Sequence, residues 1–305
     1  MSHKLLILAQ DKDQYRALIE EARLEDLEFA TQPADDVDIV LGEPSLIKAA
    51  LGSLPALNWA QSIWAGVEPL LDSAARRDYV LTNARGVFGE LMSEYVIGYL
   101  LAHERKIFQR HEAQKNKLWD ESDTGTLRGK TIGLLGVGSI GAEVALTAKF
   151  FGMNVRGYTR GSETSKHVDM YYHGDDLHEF ANGLDYLVNI LPNTKDTRKI
   201  INTDLLNALP SHALVINVGR GPAADESALI EALSQNKIAG AVLDVFEKEP
   251  LPKDHPFWTT PNLLMTFHTA APSLAKDIST LFFENYELFI EGQPLKYQVD
   301  FEKGY

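Results

Sequence analysis

Three polar groups of complementary chemistry follow short apolar segments in the second half of the chain. They are Arg220, the acidic run at residues 244–249, and His268. If the apolar segments are strands of one parallel sheet, the three groups lie at its carboxyl edge, where open α/β folds bind ligands. A guanidinium can bind a carboxylate and polarise a carbonyl, an imidazole can donate a proton, and a neighbouring carboxylate raises the pKa of that imidazole. Together these groups suit the reduction of a 2-oxo acid.

A glycine motif that precedes these groups predicts a dinucleotide site. Gly136, Gly138 and Gly141 have the G-x-G-x-x-G spacing between an apolar run at residues 131–135 and a helical pattern at residues 142–151. The first glycine allows a tight turn, the second lets backbone N–H groups approach a pyrophosphate, and the third lets the helix pack against the strand. The phosphates then lie at the positive end of the helix dipole. An ordinary glycine turn is the alternative, and the flanking strand and helix disfavour it.

The residues after the next predicted strand, at 155–158, indicate which dinucleotide is bound. Sites for NAD usually place an Asp or Glu there for the ribose 2′-hydroxyl, whereas sites for NADP carry an Arg for the 2′-phosphate. Here Thr159 and Arg160 follow the strand, and no carboxylate occupies its tip. Because a guanidinium binds phosphate in bidentate fashion, we predict a preference for NADP(H). NAD(H) is the alternative cofactor if Arg160 is only a solvated surface charge.

The elements that position these residues alternate between strands and helices along the whole chain. Strands are predicted at residues 4–9, 27–31, 38–41, 59–63 and 79–82, and then at residues 131–135, 155–158, 186–190, 214–218, 240–243 and 263–266. This alternation predicts an α/β fold of two doubly wound parallel-sheet domains, a flavodoxin-like substrate domain and a Rossmann dinucleotide-binding domain with six strands. One long helix is predicted from residue 89 to residue 116, and a later helix begins with Asp225 as its N-cap.

The end of the chain predicts a discontinuous first domain. Residues 276–290 form an amphipathic helical pattern that stops at Gly292, and we expect this helix to pack on the first domain with Phe282 and Tyr286 in its core. The predicted substrate domain therefore comprises residues 1–98 and 273–305. The predicted dinucleotide-binding domain comprises residues 99–272.

Composition excludes several classes of function. The 305 residues carry 29 Lys and Arg against 43 Asp and Glu, and this net charge of −14 disfavours nonspecific binding to nucleic acid or anionic lipid. The absence of cysteine excludes disulfides, thiolate catalysis and cysteine-based zinc sites. His103 and His111 lack the spacing of a helical zinc site, so no metal is predicted, and histidines such as His255 are interpreted as ordinary hydrogen-bonding residues. Without a signal-peptide pattern or an apolar stretch that could cross a bilayer, we expect a soluble cytoplasmic protein.

Four ordered motifs in this sequence resemble those of the D-isomer-specific 2-hydroxyacid dehydrogenase family, and the resemblance covers essentially the whole chain. The motifs are LGVGSIG at residues 135–141, INVGRG at residues 216–221, LDVFEKEPLP at residues 243–252 and HTAA at residues 268–271. The resemblance implies that Arg220 binds the substrate, that Glu249 pairs with the catalytic imidazole and that His268 is the acid/base. It also implies that Asp244 contacts the nicotinamide amide.

The same resemblance implies the remaining binding residues. The loop formed by Trp64, Ala65, Gly66 and Val67 would hold the substrate carboxylate through its backbone N–H groups. The predicted cofactor-binding residues are Gly136, Gly138, Ser139, Ile140, Gly141, Thr159, Arg160, Leu191, Pro192, Asn193, Thr194, Val218, Gly219, Asp244, His268 and Ala270. Residues 191–194 among them would form the rim of the adenosine pocket.

Thr159 and Arg160 place the chain with family members that look like NADPH-dependent glyoxylate/hydroxypyruvate reductases. The resemblance thus implies an oxidoreductase that transfers a hydride between NADPH, or NADH, and a small 2-oxo acid to give a D-2-hydroxy acid. It further implies a homodimer with no nucleic-acid or membrane partner. A non-enzymatic, nucleotide-sensing binding protein is the alternative, since some relatives with this fold are transcriptional corepressors. Oxidation of phosphonate or formate on the same fold is a third reading.

Overall fold

The computed structural model of the protein describes residues 2–72 and 74–302. Its contacts divide the chain into two compact units. The first unit comprises Met1–Phe88 together with Ser273–Tyr305, and the second comprises Gly89–Pro272. The first unit is therefore discontinuous in sequence, and the boundary within the first half of the chain lies after Phe88, whereas the sequence places it after residue 98.

The first unit is built on a parallel sheet of five strands. The strands are β1 (His3–Leu8), β2 (Leu27–Ala30), β3 (Ile39–Gly42), β4 (Trp59–Ser62) and β5 (Val80–Thr82). Their order is β2-β1-β3-β4-β5, the order of flavodoxin-like sheets. β3 and β4 are buried along their whole length, which is typical of inner strands covered by helices on both faces. The helices of this unit are α1 (Lys12–Ala22), α2 (Pro44–Ala50) and, from the end of the chain, α9 (Ala275–Ile290).

The last helix packs in the first unit, and that prediction is confirmed. The ring of Phe282 stacks on the indole of Trp59 with centroids 5.1 Å apart, and both side chains are fully buried. Asn285 donates a hydrogen bond of 3.0 Å to Gln61 Oε1 inside this core. Gly292, whose φ is 66°, follows the end of α9 in the left-handed conformation that glycine adopts at low cost.

The second unit is built on a parallel sheet of seven strands. The strands are β6 (Thr131–Leu135), β7 (Asn154–Tyr158), β8 (Met170–Tyr172), β9 (Tyr186–Asn189), β10 (Leu214–Asn217), β11 (Gly240–Leu243) and β12 (Leu263–Met265). The helices are α3 (Gly89–Glu104), α4 (Ile107–Lys115), α5 (Ser139–Phe150), α6 (Leu177–Ala181), α7 (Thr203–Ala208) and α8 (Glu226–Ser234). The order β12-β11-β10-β9-β6-β7-β8 contains the Rossmann order, in which the chain winds outward in both directions from β6.

The predicted count of six strands for this sheet is wrong, because β8 was missed. β8 has only three residues, Met170–Tyr172, and pairs with β7 at the outer edge of the sheet. Its apolar run is only three residues long and lies between Asp169 and His173, so it is too short to be recognised as a strand from the sequence.

The predicted single helix from residue 89 to residue 116 is also wrong. α3 ends at Glu104 and α4 begins at Ile107, because Lys106 between them adopts the left-handed conformation with φ of 53°. Sequence patterns signal such a break mainly through Gly or Pro, and this junction contains neither. α3 packs against α5, where a Cβ placed on Gly89 would lie 2.5 Å from Glu143 Cγ, so the whole of α3 belongs to the second unit.

Candidate active site

The glycine turn after β6 has the shape that a dinucleotide phosphate requires. Gly136 has a φ of 95°, which other residues rarely adopt, and a Cβ on Gly141 would lie 2.4 Å from the Gly136 carbonyl oxygen. A Cβ on Gly138 would meet no heavy atom within 4 Å. Gly138 is also the N-cap of α5, so no side chain there bonds the first N–H groups of the helix. The turn thus leaves space for an anion at a helix N-terminus, and it fits the pyrophosphate of a dinucleotide.

Two buried asparagines join the ends of β9 and β10. Asn189 donates a hydrogen bond of 2.8 Å to Asn217 Oδ1, and Asn217 donates one of 3.2 Å to the Arg220 carbonyl oxygen. A Cβ on Gly219 would lie 2.7 Å from the Leu191 carbonyl oxygen, so the two loops after these strands are in direct contact. The predicted residues 191–194 and 218–220 therefore form one continuous stretch of the carboxyl edge.

Asp244, directly after β11, organises the segment after β12. Its Oδ1 accepts hydrogen bonds from the Thr266 hydroxyl at 2.5 Å and from the Thr269 amide at 2.9 Å. Its Oδ2 accepts one from the Ala270 amide at 3.1 Å. The side chain is 2% exposed. Asp244, which the resemblance assigns to the nicotinamide amide, thus bonds residues on both sides of His268.

His268 is held in an uncommon backbone conformation. Its φ is 57°, and its amide donates a hydrogen bond of 2.7 Å to the Asp244 carbonyl oxygen. A left-handed backbone conformation is strained at a residue other than glycine, and it persists only where hydrogen bonds and packing from the surrounding residues hold it. The bonds from Asp244 provide that restraint, so the direction of the imidazole is set by the neighbouring strand.

Glu249 and His268 form a close pair. Glu249 Oε2 lies 2.8 Å from His268 Nδ1, and Glu249 Oε1 accepts a hydrogen bond of 2.9 Å from the Phe246 amide. The hydrogen bond to Glu249 raises the pKa of His268 above its usual value, although partial burial and the charge of Arg220 oppose it. Burial raises the pKa of Glu249, but the bonds from His268 and Phe246 outweigh burial and hold that pKa below its usual value.

The structure therefore brings Arg220, Glu249 and His268 together at the carboxyl edge of neighbouring strands. β10, β11 and β12 are adjacent in the sheet, and the positive charge of Arg220 is near enough to lower the pKa of both partners. The side chain of His268 is 55% exposed and can meet a small molecule. Since Glu249 engages Nδ1, a proton can be exchanged with a ligand through Nε2.

The tip of β7 carries an exposed guanidinium on an ordered turn. Arg160 is exposed, whereas Thr159 is buried, and its hydroxyl donates a hydrogen bond of 2.8 Å to the Ser162 carbonyl oxygen. The next carboxylate along the chain belongs to Glu163. Its Oε1 lies 2.9 Å from His173 Nε2, and this hydrogen bond raises the pKa of His173. The hydroxyl of Thr159 thus shapes the turn, and Arg160 is the residue of this predicted pair that faces solvent.

In the first unit, the loop after β4 is fixed through its carbonyl groups. The Ser62 hydroxyl donates a hydrogen bond of 2.9 Å to the Trp64 carbonyl oxygen, and Asn83 Nδ2 donates one of 2.9 Å to the Ala65 carbonyl oxygen. In a trans peptide the N–H points opposite to the C=O. The N–H groups of Ala65 and Gly66 are therefore directed away from Ser62 and Asn83, which suits binding of an anion by the backbone.

The described residues contain neither a metal-ligating cluster nor a membrane-spanning helix. Within residues 2–72 and 74–302, no three His, Asp or Glu side chains are placed to hold a metal ion. No helix in the same residues has the length and apolar character needed to cross a membrane.

Comparisons with known proteins agree with this geometry. Residues 97–270 match the family described as D-isomer specific 2-hydroxyacid dehydrogenase, NAD binding domain. The chain belongs to this family. A relative from Salmonella newport, named glyoxylate/hydroxypyruvate reductase A, is 33% identical over 252 residues, which are 80% of each chain. This protein is accordingly an oxidoreductase.

Two solved structures of 2-hydroxyacid dehydrogenases share the whole fold. A D-isomer specific 2-hydroxyacid dehydrogenase family protein from Aeromonas salmonicida is 40% identical, with a TM-score of 0.94 over 99% of this chain and 100% of that one. A D-isomer specific 2-hydroxyacid dehydrogenase from Xanthobacter autotrophicus, solved in complex with NADPH and MES, is 30% identical, with a TM-score of 0.89 over all of both chains.

Several polar residues that organise the site of this dehydrogenase were missed from the sequence. Asn189 and Asn217 each end a buried apolar strand, and an amide at that position in two strands was a usable signal. Tyr95 on α3 lies 2.6 Å from the Thr266 hydroxyl, which in turn bonds Asp244. Tyr95 and Thr266 are far apart in sequence, so no local pattern could have joined them.

Proposed function

We propose that this 2-hydroxyacid dehydrogenase reduces a small 2-oxo acid to the D-2-hydroxy acid with NADPH, and that glyoxylate and hydroxypyruvate are among its substrates. The observation that carries the proposal is the Glu249–His268 pair beside Arg220 on the carboxyl edge of a dinucleotide-type sheet. The name of the Salmonella relative supports the choice of substrates.

In this proposal His268 is the acid. The carboxylate of Glu249 accepts the hydrogen bond from Nδ1 and raises the pKa of the imidazole, which favours its protonated form. When bound, a reduced nicotinamide would supply the hydride for the carbonyl carbon. His268 Nε2 then passes its proton to the carbonyl oxygen, and the neutral imidazole regains a proton from water. In the oxidative direction the neutral imidazole is the base.

Two groups are proposed to bind the substrate. Arg220 pairs with the carboxylate and polarises the adjacent carbonyl, which a guanidinium can do through two N–H groups at once. The backbone N–H groups of Ala65 and Gly66 also bind a carboxylate, and Trp64 and Val67 flank them. The anchoring of this loop through its carbonyl oxygens supports that role.

The preference for NADPH is proposed to reside in Arg160. The glycine turn at residues 136–141 and the first turn of α5 would hold the pyrophosphate, with Ser139 and Ile140 at the helix start. The exposed guanidinium of Arg160 at the end of β7 would take the 2′-phosphate. The NADPH complex of the Xanthobacter structure supports this choice, with NADH as the weaker alternative.

Turnover by the purified chain tests the proposal. Oxidation of NADPH is followed with glyoxylate, hydroxypyruvate, pyruvate and longer 2-oxo acids, and binding of NADPH is titrated separately. We expect turnover with glyoxylate and hydroxypyruvate, at higher kcat/KM than with long 2-oxo acids. Background rates with every acid, together with tight binding of NADPH, would instead favour the nucleotide-sensing binding protein.

We also propose a cytoplasmic homodimer formed through the second unit. Exposed apolar side chains concentrate in α4, in α5 and in the segment after α4, and such concentrations mark protein interfaces. They are Ile107, Phe108, Leu118, Trp119, Leu146 and Phe150, of which Trp119 is 89% exposed and Phe150 84% exposed. Light scattering of the wild type and of a Phe150→Ser variant measures the assembly, and we expect twice the chain mass for the wild type alone.

A further inference from the structure

A second carboxylate, Glu226, contacts the loop that carries Glu249. Glu226 is the first residue of α8, and the N-cap of that helix is Asp225, whose side chain accepts a hydrogen bond from the Ala228 amide. The carboxylate of Glu226 extends instead to the neighbouring loop, where its Oε1 accepts a hydrogen bond of 3.1 Å from the Glu247 amide. Its side chain is only 19% exposed. A carboxylate in this position adds a charge-assisted hydrogen bond to the loop.

His255 holds the second oxygen of Glu226. His255 Nε2 lies 3.2 Å from Glu226 Oε2, and His255 Nδ1 accepts a hydrogen bond of 3.2 Å from the Phe257 amide. Because Nδ1 is an acceptor, the ring proton is on Nε2 and is donated to Glu226. The imidazole also contacts the Phe257 ring, with centroids 4.6 Å apart. Both oxygens of Glu226 are therefore engaged, and its direction is fixed.

The two peptide groups that flank Phe246 each donate to a different carboxylate. The Phe246 amide donates to Glu249, and the next amide, that of Glu247, donates to Glu226. The backbone here also packs tightly on Gly221, where a Cβ would lie 1.9 Å from the Phe246 carbonyl carbon and 2.5 Å from the Glu247 nitrogen. The Glu247 side chain forms an ion pair with Arg198 on its exposed side. A shift of the Phe246–Glu247 peptide would displace the Phe246 amide and would therefore move Glu249.

We propose that Glu226, supported by His255, is a positioning residue that directs Glu249 toward His268 by fixing the Phe246–Glu247 peptide. The proposal rests on the proposed roles of Glu249 and His268. Loss of Glu226 loosens the 2.8 Å contact between that pair. His268 then retains the opposing charge of Arg220 and the more distant support of Asp244, so its pKa falls.

The test is an NMR titration of the His268 imidazole in the cofactor-free protein, together with the pH profile of reductive turnover. For Glu226→Ala we expect a lower His268 pKa, an alkaline limb of kcat shifted to lower pH, and kcat reduced roughly tenfold by loss of a hydrogen bond to a charged group. Glu226→Gln keeps an acceptor for the Glu247 amide, so it should restore most of the His268 pKa and most of kcat. The affinity for NADPH should stay within about twofold, since the glycine turn is not altered.

Glu231→Ala is the matched control, because Glu231 lies on the same helix and is 55% exposed near Lys237. It should leave the His268 pKa and kcat unchanged. An unchanged His268 pKa in a folded Glu226→Ala protein would overturn the proposal, as would equal losses in the alanine and glutamine variants. If the wild type shows no turnover, the proposed function fails, but the titration still reports whether Glu226 sets the pair.

Discussion

The carboxyl edges of the two sheets are built in different ways. After β10, β11 and β12 of the seven-stranded sheet the candidate groups are side chains, and buried side chains such as Asn217 and Asp244 hold their loops in place. In the five-stranded sheet the candidate groups are backbone N–H groups of the loop after β4, and Ser62 and Asn83 hold the carbonyl side of that loop. One edge thus presents titratable groups, and the other presents fixed dipoles.

These two kinds of group suit two different functions, proton transfer and carboxylate binding. Proton transfer needs a side chain whose pKa can be adjusted by its neighbours, as Glu249 adjusts that of His268. Binding the carboxylate of a small acid needs only correctly directed N–H groups. Substitutions of Glu249 and His268 should therefore change kcat and its pH dependence, whereas substitutions around the loop after β4 should change KM.

The largest effect is expected for His268→Ala. Removal of the proposed acid should lower kcat by about 10²–10⁴-fold, the usual contribution of a general acid or base. NADPH affinity should change little, because the glycine turn that would hold the pyrophosphate is on β6 and α5. Steady-state kinetics and a fluorescence titration of NADPH measure the two quantities. Wild-type kcat in this variant would remove His268 from the proposed mechanism.

Glu249→Gln should reveal the source of the pH dependence. His268 has a raised pKa, so reductive activity is present at low pH and is lost as pH rises through that pKa. With the carboxylate replaced, the His268 pKa falls and the alkaline limb moves to lower pH. The limb of the oxidative reaction, which needs the neutral imidazole, should move in the same direction.

We expect kcat of Glu249→Gln at neutral pH to fall roughly tenfold, as for loss of a hydrogen bond to a charged partner. The pH profiles of kcat in both directions provide the measurement. A profile that superimposes on that of the wild type would mean that another group, not His268 paired with Glu249, determines the limb.

A third variant, Arg160→Ala, tests a side chain of the seven-stranded sheet whose proposed role is cofactor binding and not proton transfer. NADPH affinity should fall by roughly 10–100-fold through loss of a charge-assisted contact to phosphate, and NADH affinity by less than about twofold. Lys237→Ala is the control for general charge, since Lys237 precedes β11 at the opposite edge of the sheet. Equal losses for NADPH and NADH would reject Arg160 as the 2′-phosphate group.

The two edges also differ in how far the sequence predicted them. In the seven-stranded sheet, Arg220, the acidic run at residues 244–249 and His268 follow recognisable apolar strands, so their convergence was predictable once a parallel sheet was assumed. The choice of Glu249 within that run came from the family resemblance. The loop after β4 was recognised only through the family resemblance, because its single glycine, Gly66, is equally consistent with an ordinary turn. The hydrogen bond from Asn83 to the Ala65 carbonyl oxygen joins residues that are distant in sequence and forms only in the folded chain.

Three features that the sequence did not predict each have a physical cause. The edge strand β8 was missed because its apolar run has only three residues and is flanked by Asp169 and His173. The break between α3 and α4 was missed because Lys106 adopts a left-handed backbone that no glycine announces. Glu226 was not singled out because a Glu in the first turn of a helix is ordinary by its sequence, and only the folded chain brings it to Glu247 and His255.

The smallest effect is expected for Ser62→Ala, which alters the support of the backbone loop. The Ser62 hydroxyl bonds both the amide of Trp64, at 3.0 Å, and its carbonyl oxygen, at 2.9 Å. Loss of these neutral hydrogen bonds, about 1 kcal/mol, should raise KM for glyoxylate roughly fivefold and leave kcat and its pH profile nearly unchanged. Ser45→Ala, at an exposed position of α2, is the matched control and should not change KM. A loss in kcat at constant KM would place the loop in the chemical step and erase the distinction between the two edges.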